Sequence, residues 1–96
     1  MIVSFGDAAT QDLFHGHQSH RLRRFPTDVA KMALRKLDLL NGAHRLDDLR
    51  MPPGNRLKAL GGDLEGFHSV RINDQWRIIF RWSEGNACGV SVTDYH

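Results

Sequence analysis

The sequence predicts an α+β fold, a small antiparallel-rich sheet packed against two to three N-terminal helices. Three observations carry this reading. Up to about Leu49 the apolar residues recur at helical spacing, and from Asn55 onward they alternate at strand spacing. The alternating half is also punctuated by turn sequences at Gly61-Gly62-Asp63, Asn73-Asp74 and Glu84-Gly85-Asn86. A length of 96 residues suits one domain over residues 1–96, and 41% hydrophobic with 25% charged residues argues against disorder.

Ile2-Val3-Ser4-Phe5 is β-prone and ends at Gly6-Asp7, where Asp7 is placed to cap a short helix through Ala8, Ala9, Leu13 and Phe14. Gly16 stops that helix, and a polar loop fills residues 17–24. Phe25-Pro26-Thr27-Asp28 suits a helix start. Val29, Met32, Ala33, Leu37 and Leu40 then share one face, with Lys31, Arg35 and Asp38 elsewhere, until Asn41-Gly42. Leu46 and Leu49 suggest one more helical turn before Met51-Pro52-Pro53-Gly54, a rigid turn leading into the sheet. Four strands are predicted over residues 56–60, 67–72, 75–82 and 88–94, forming an antiparallel meander joined by the N-terminal strand.

A three-residue hairpin loop at Asn73, Asp74 and Gln75 sets the pairing of the two best strands. Ile72 meets Trp76, Val70 meets Ile78 and His68 meets Phe80 on an apolar face that belongs under the helices. Arg71 meets Arg77, Ser69 meets Ile79 and Phe67 meets Arg81 on the other. Like charges opposed across a sheet are destabilising, so Arg71 beside Arg77 is a conflict of the kind that marks functional surfaces. In the last strand, Cys88, Val90 and Val92 alternate toward the core. Gly89, Ser91, Thr93 and Tyr95 join the arginine face and leave a shallow groove, with Asp94-Tyr95-His96 at its rim.

The remaining features narrow the function class. A net charge of +2 is weak evidence for a nucleic-acid partner, so the placement of the charges decides. The lone Cys88 excludes an internal disulfide and points inward as an inert thiol. No apolar run suits a membrane span and the N-terminus lacks an export pattern, so a cytoplasmic protein with no membrane partner is expected. His15, His17 and His20 lack a metal-ligand spacing and are expected to be solvated; no metal and no cofactor are expected. Arg21, Arg23 and Arg24 read as solvated surface, or as contacts to a nucleic-acid or protein partner. His68, Trp76, Phe80 and Trp82 are read as core, His68 with its nitrogens satisfied.

RNA cleavage by an attacking 2′-hydroxyl needs a base, a proton for the departing oxygen and positive charge around phosphorus. His, Tyr or Lys serve the first two needs, and the planar fork of arginine suits the third. A basic sheet face with a terminal Tyr95-His96 has that inventory.

The chain also resembles HigB toxins of the RelE/ParE superfamily, especially their GraT-type branch. The likeness runs from Ile2-Val3-Ser4-Phe5 through Asp48-Leu49-Arg50-Met51-Pro52-Pro53-Gly54-Asn55-Arg56-Leu57 and Leu60-Gly61-Gly62-Asp63. It continues through Gly66-Phe67-His68-Ser69-Val70-Arg71-Ile72 and Asn73-Asp74-Gln75-Trp76-Arg77-Ile78 to Asp94-Tyr95-His96. The resemblance implies a RelE-like fold and a toxin that cuts messenger RNA at the ribosome without metal. It also implies a HigA-type helix-turn-helix antitoxin, with operator DNA bound only through the toxin–antitoxin complex.

On the residues that match the family pattern, the resemblance implies catalytic roles for Asp94, Tyr95, His96 and Arg77, and for Lys58 where the family carries histidine. Lysine supplies charge and serves as a base only with a strongly lowered pKa, which leaves the base to His96 or Tyr95. Arg71, Arg81, Arg56 and Lys58 are expected to bind RNA. Two rival readings are a ParE-like gyrase poison of the same architecture and an attenuated, non-catalytic subunit that binds antitoxin and acts as co-repressor.

Overall fold

The computed structural model describes residues 1–94. Asp7 opens helix α1 (Ala8–His15) by accepting the Thr10 amide at 2.7 Å, and Gly16 closes it at φ 73°, where glycine carries no Cβ penalty. The loop expected over residues 17–24 contains a 3₁₀ turn, His20–Arg24. Helix α2 (Thr27–Gly42) starts at Pro26 with no side-chain cap, so neither Thr27 nor Asp28 supplies one. It buries Val29, Ala33, Leu37 and Leu40 as expected. Met32 is exposed, because at 100° per residue it falls roughly 95° from the centre of the stripe those four define.

The turn predicted at Leu46 and Leu49 is a 3₁₀ turn, Leu46–Arg50, with Leu49 buried. Asp48 accepts the amides of Arg45 and His44, each at 3.0 Å, and these bonds hold its carboxyl below the usual range. Asp12 is lowered likewise, chiefly by the Ser19 hydroxyl and then by Arg21. Folded-state values below unfolded ones mean stability that is present at neutral pH and lost as acid protonates these groups below about pH 4. Denaturation midpoints measured against pH are therefore expected to fall on acidification, and Asp48→Ala to flatten that acid slope.

Four strands form an antiparallel sheet in the order β1 (Lys58–Ala59), β2 (Phe67–Arg71), β3 (Trp76–Ser83) and β4 (Asn86–Asp94). The register of β2 on β3 matches the sequence-based pairing: Phe67 with Arg81, His68 with Phe80, Ser69 with Ile79, Val70 with Ile78 and Arg71 with Arg77. Asn73 Oδ1 turns the loop by accepting the amides of Gln75 and Trp76, each at 2.8 Å. Ala33, Leu37 and Leu40 of α2 and Ile78, Phe80, Val90 and Val92 of the sheet are fully buried in one apolar cluster.

Three expectations are corrected. The strand expected over residues 56–60 shrinks to Lys58–Ala59, because Arg56 adopts φ 46° to close a 3₁₀ turn at Pro53–Asn55. Residues 2–5 form two isolated parallel bridges, Ile2 with Ala87 and Phe5 with Val90, in place of a continuous strand. Between those bridges Gly89 takes φ 60° and donates its amide to Ser4 Oγ at 2.8 Å, so a side chain replaces the ladder bond.

The third concerns Cys88. A bulge in β4 pairs Ile79 with Ser91 but Arg81 with Cys88, and the extra residue inverts the alternation. Ala87 therefore takes the buried place expected for Cys88, and Cys88 lies opposite Arg81. Trp82, expected in the core, packs against it half-buried.

Two further residues yield predictions. Thr10 is fully buried and its hydroxyl accepts the Val92 amide at 2.9 Å, tying α1 to β4. Thr10→Val keeps the shape and strands that amide, so urea denaturation should show a loss of about 1–3 kcal/mol, most of it restored by Thr10→Ser. The β3–β4 loop holds Glu84 at φ 52° and Gly85 at φ 79°, the mirror-image turn in which asparagine is favoured at the first position. Glu84→Asn should raise stability by about 0.5–1 kcal/mol in the same assay.

Candidate nucleic-acid interface

Directly opposed residues of an antiparallel sheet share a face, so the register defines three rows on the side away from α2. One row holds Arg71, Arg77 and Thr93; the next Lys58, Ser69, Ile79 and Ser91; the third Phe67, Arg81 and Cys88. Neighbouring rows stand two residues apart, about 7 Å along the strands. Lys58, Arg71, Arg77 and Arg81 thus project from one face, as the pairing argument anticipates for the arginines.

The opposed arginines are held in different ways. Arg71 pairs with the Asp74 carboxylate across the hairpin loop, which offsets part of the repulsion. Arg77 Nη1 lies 3.4 Å from the hydroxyl of fully buried Ser69, to which it donates, toward the middle of the sheet. Arg81 lies with its guanidinium carbon 4.7 Å from the Phe67 ring centroid. Lys58 is exposed beside a cleft of about 330 Å³ lined also by Leu46, Arg50, Leu57 and His68.

Other predicted residues fall off this face. Asp94 pairs with Trp76, so alternation puts Thr93 rather than Asp94 beside Arg77; Asp94 stands exposed at the rim, accepting Gln75 Nε2 at 3.2 Å. Arg56 closes the Pro53–Asn55 turn outside the strands. Tyr95 and His96 lie outside the described residues. His68 stacks on Phe80 with centroids 5.9 Å apart, half-buried rather than enclosed, and its buried Nδ1 has no partner among the described residues. The short β1 leaves this end of β2 partly open.

The basic loop is exposed, and two of its arginines also touch the chain itself. Arg21 pairs with Asp12 at 3.3 Å, and Arg24 reaches the Val92 carbonyl at 3.5 Å. His15 and His17 have ring centroids 5.8 Å apart, and among the described residues no three His, Cys, Asp or Glu side chains gather in a metal-holding group.

Sequence reasoning missed two supports of the site. Asp74 is the counter-ion of Arg71, three positions along and across a tight turn, a spacing that could have flagged it. Asn55 is buried and donates its side-chain amide to the carbonyls of Leu49 and Met51 in the segment leading into β1. No hydropathy pattern announces a buried Asn in a Pro-Gly loop.

Comparison with known proteins agrees with this architecture. Residues 3–96 match the model of the HigB-like toxin family, described as the RelE-like toxin of the type II toxin-antitoxin system HigB. Toxin HigB-1 of Vibrio cholerae serotype O1 is 39% identical over 87 residues, covering 91% of this chain and 90% of the relative. Endoribonuclease HigB of Proteus vulgaris is 39% identical over 41 residues, covering 43% of this chain and 45% of that protein. A crystal structure of a YafQ variant from E. coli superposes with a TM-score of 0.65 at 12% identity, covering 98% of this chain and 93% of that one, a likeness of fold.

Proposed function

The chain belongs to the HigB-like toxin family of type II toxin-antitoxin systems, and from that premise we propose that it is an endoribonuclease that cuts messenger RNA on the ribosome. The observation that carries the reading is the opposed pair Arg71 and Arg77 with Lys58 and Arg81 on the same sheet face. This arrangement is costly for the sheet and matched to a phosphate backbone. As a toxin of this type the chain has an antitoxin partner; a HigA-type helix-turn-helix protein fits that role, with operator DNA reached through the complex. A ribosomal substrate puts the action in the cytoplasm.

In the proposed reaction the 2′-hydroxyl oxygen attacks the adjacent phosphorus as a base removes its proton. The P–O5′ bond breaks, and an acid gives the departing oxygen a proton. The products are a 2′,3′-cyclic phosphate and a 5′-hydroxyl. Arg77 carries the charge that builds on the non-bridging oxygens, with Lys58 and Arg71 binding the flanking backbone. His96 or Tyr95 acts as base and His96 as acid, while Asp94, held by Gln75, steers the two residues that follow it. Arg56 adds charge from the loop beside β1.

Inducing the chain in growing cells and mapping RNA ends tests this. Growth arrest with new 5′-hydroxyl ends inside translated regions is expected. DNA breaks without such ends would indicate gyrase poisoning, and intact RNA and DNA a bare binding subunit; either result overturns the proposal.

A further inference from the structure

The row farthest from Arg77 has a chemistry of its own. Arg81 is exposed, directly paired across the sheet with Phe67, and its guanidinium lies over that ring. Unlike Arg71, which pairs with Asp74, Arg81 has no carboxylate partner among the described residues. On its other flank stand Cys88 and then Gly89, where an added Cβ would meet nothing within 4 Å. A planar cation backed by an aromatic ring, with its far side in solvent, matches the stacking surface that unpaired nucleobases occupy on arginine planes.

We propose that Arg81 and Phe67 form a nucleobase platform, on which the base of a nucleotide flanking the scissile phosphate stacks against the solvent side of the guanidinium. Arg77 and Arg81 stand four positions apart on β3, roughly 13 Å along the strand, so the base held there belongs to a neighbour of the cut rather than to the reacting phosphate. The platform rests on the RNA-cleavage reading and adds a contact to the base alongside those to the backbone. It reads a π-face, so it fixes position along the strand and tolerates any base.

The test uses ribosomes programmed with a short messenger carrying a single abasic nucleotide at each position flanking the cut. With the unaltered protein, one abasic position is expected to lower kcat/KM by about 10-fold or more. Arg81→Lys, which keeps the charge and loses the plane, should lower kcat/KM on the intact messenger by a similar factor and become insensitive to that abasic position. Phe67→Leu should behave alike. Variants as abasic-sensitive as the unaltered protein, or no sensitive position at all, would overturn the platform while leaving cleavage established.

A second readout separates the two claims. 2-Aminopurine at the sensitive position, or at each flanking position in turn if nothing is cut, should be quenched by the unaltered protein and by Arg77→Ala but not by Arg81→Lys. Arg81-dependent quenching without any cutting would retain the platform and refute the nuclease. Quenching that ignores Arg81 refutes the platform.

Discussion

Arg77→Ala is expected to lower the rate of messenger cleavage on programmed ribosomes by about 100- to 1000-fold in a protein that still folds. The loss follows from charge placement. A donor aimed at the oxygens where negative charge builds contributes to the transition state, and removing one such donor costs about 10²–10³ in rate. The fold is expected to survive because of the register: Arg77 faces Arg71 directly, and opposed like charges destabilise a sheet, so deleting one relieves that repulsion. The variant gives up the 3.4 Å bond to Ser69. Arg77→Lys keeps the charge without the fork and should fall between the two. Cleavage by single-turnover assay and midpoints by thermal melting check both halves. An Arg77→Ala protein that cuts at the full rate, or one that fails to fold, contradicts this assignment.

Asn55→Ala is expected to cost about 2–4 kcal/mol, a fall of about 10–20 °C in Tm for a domain of this size. Asn55 is 1% exposed. Its amide nitrogen donates to the carbonyls of Leu49 at 3.1 Å and Met51 at 3.2 Å, and its amide oxygen accepts from the Lys36 ammonium of α2. Truncation strands two carbonyls and removes the partner of an ammonium whose pKa burial already lowers. Lys36→Met in the Asn55→Ala background should recover part of the loss by removing that charge. Asn55 precedes Lys58 by three positions, so the same variant should loosen β1 and slow cleavage.

The hairpin was legible because a two-residue period leaves little freedom once one face must be buried; a single slip would have exposed Val70, Ile78 and Phe80 together. Helix α1 was legible because Asp7 and Gly16 are local punctuation. What escaped were departures from period. The β4 bulge depends on where Gly89 takes positive φ, and alternation alone then assigned Cys88 to the wrong face. The shortening of β1 depends on the left-handed Arg56, a conformation its residue type does not advertise. The arginine face itself was readable from like charges placed opposite one another. Of its supports, Asp74 lies at a local spacing from Arg71 that could have flagged it, whereas buried Asn55 is a tertiary partner that no linear spacing reveals.

The most direct measurement replaces the nucleotide at the cut with its 2′-deoxy counterpart and follows cleavage on programmed ribosomes. Attack by the neighbouring 2′-hydroxyl predicts that cutting at that bond disappears while the ordinary messenger yields a 2′,3′-cyclic phosphate. Undiminished cutting of the deoxy messenger would mean that another nucleophile breaks the bond, and the role given to the arginine face and its terminal acid–base pair would be wrong.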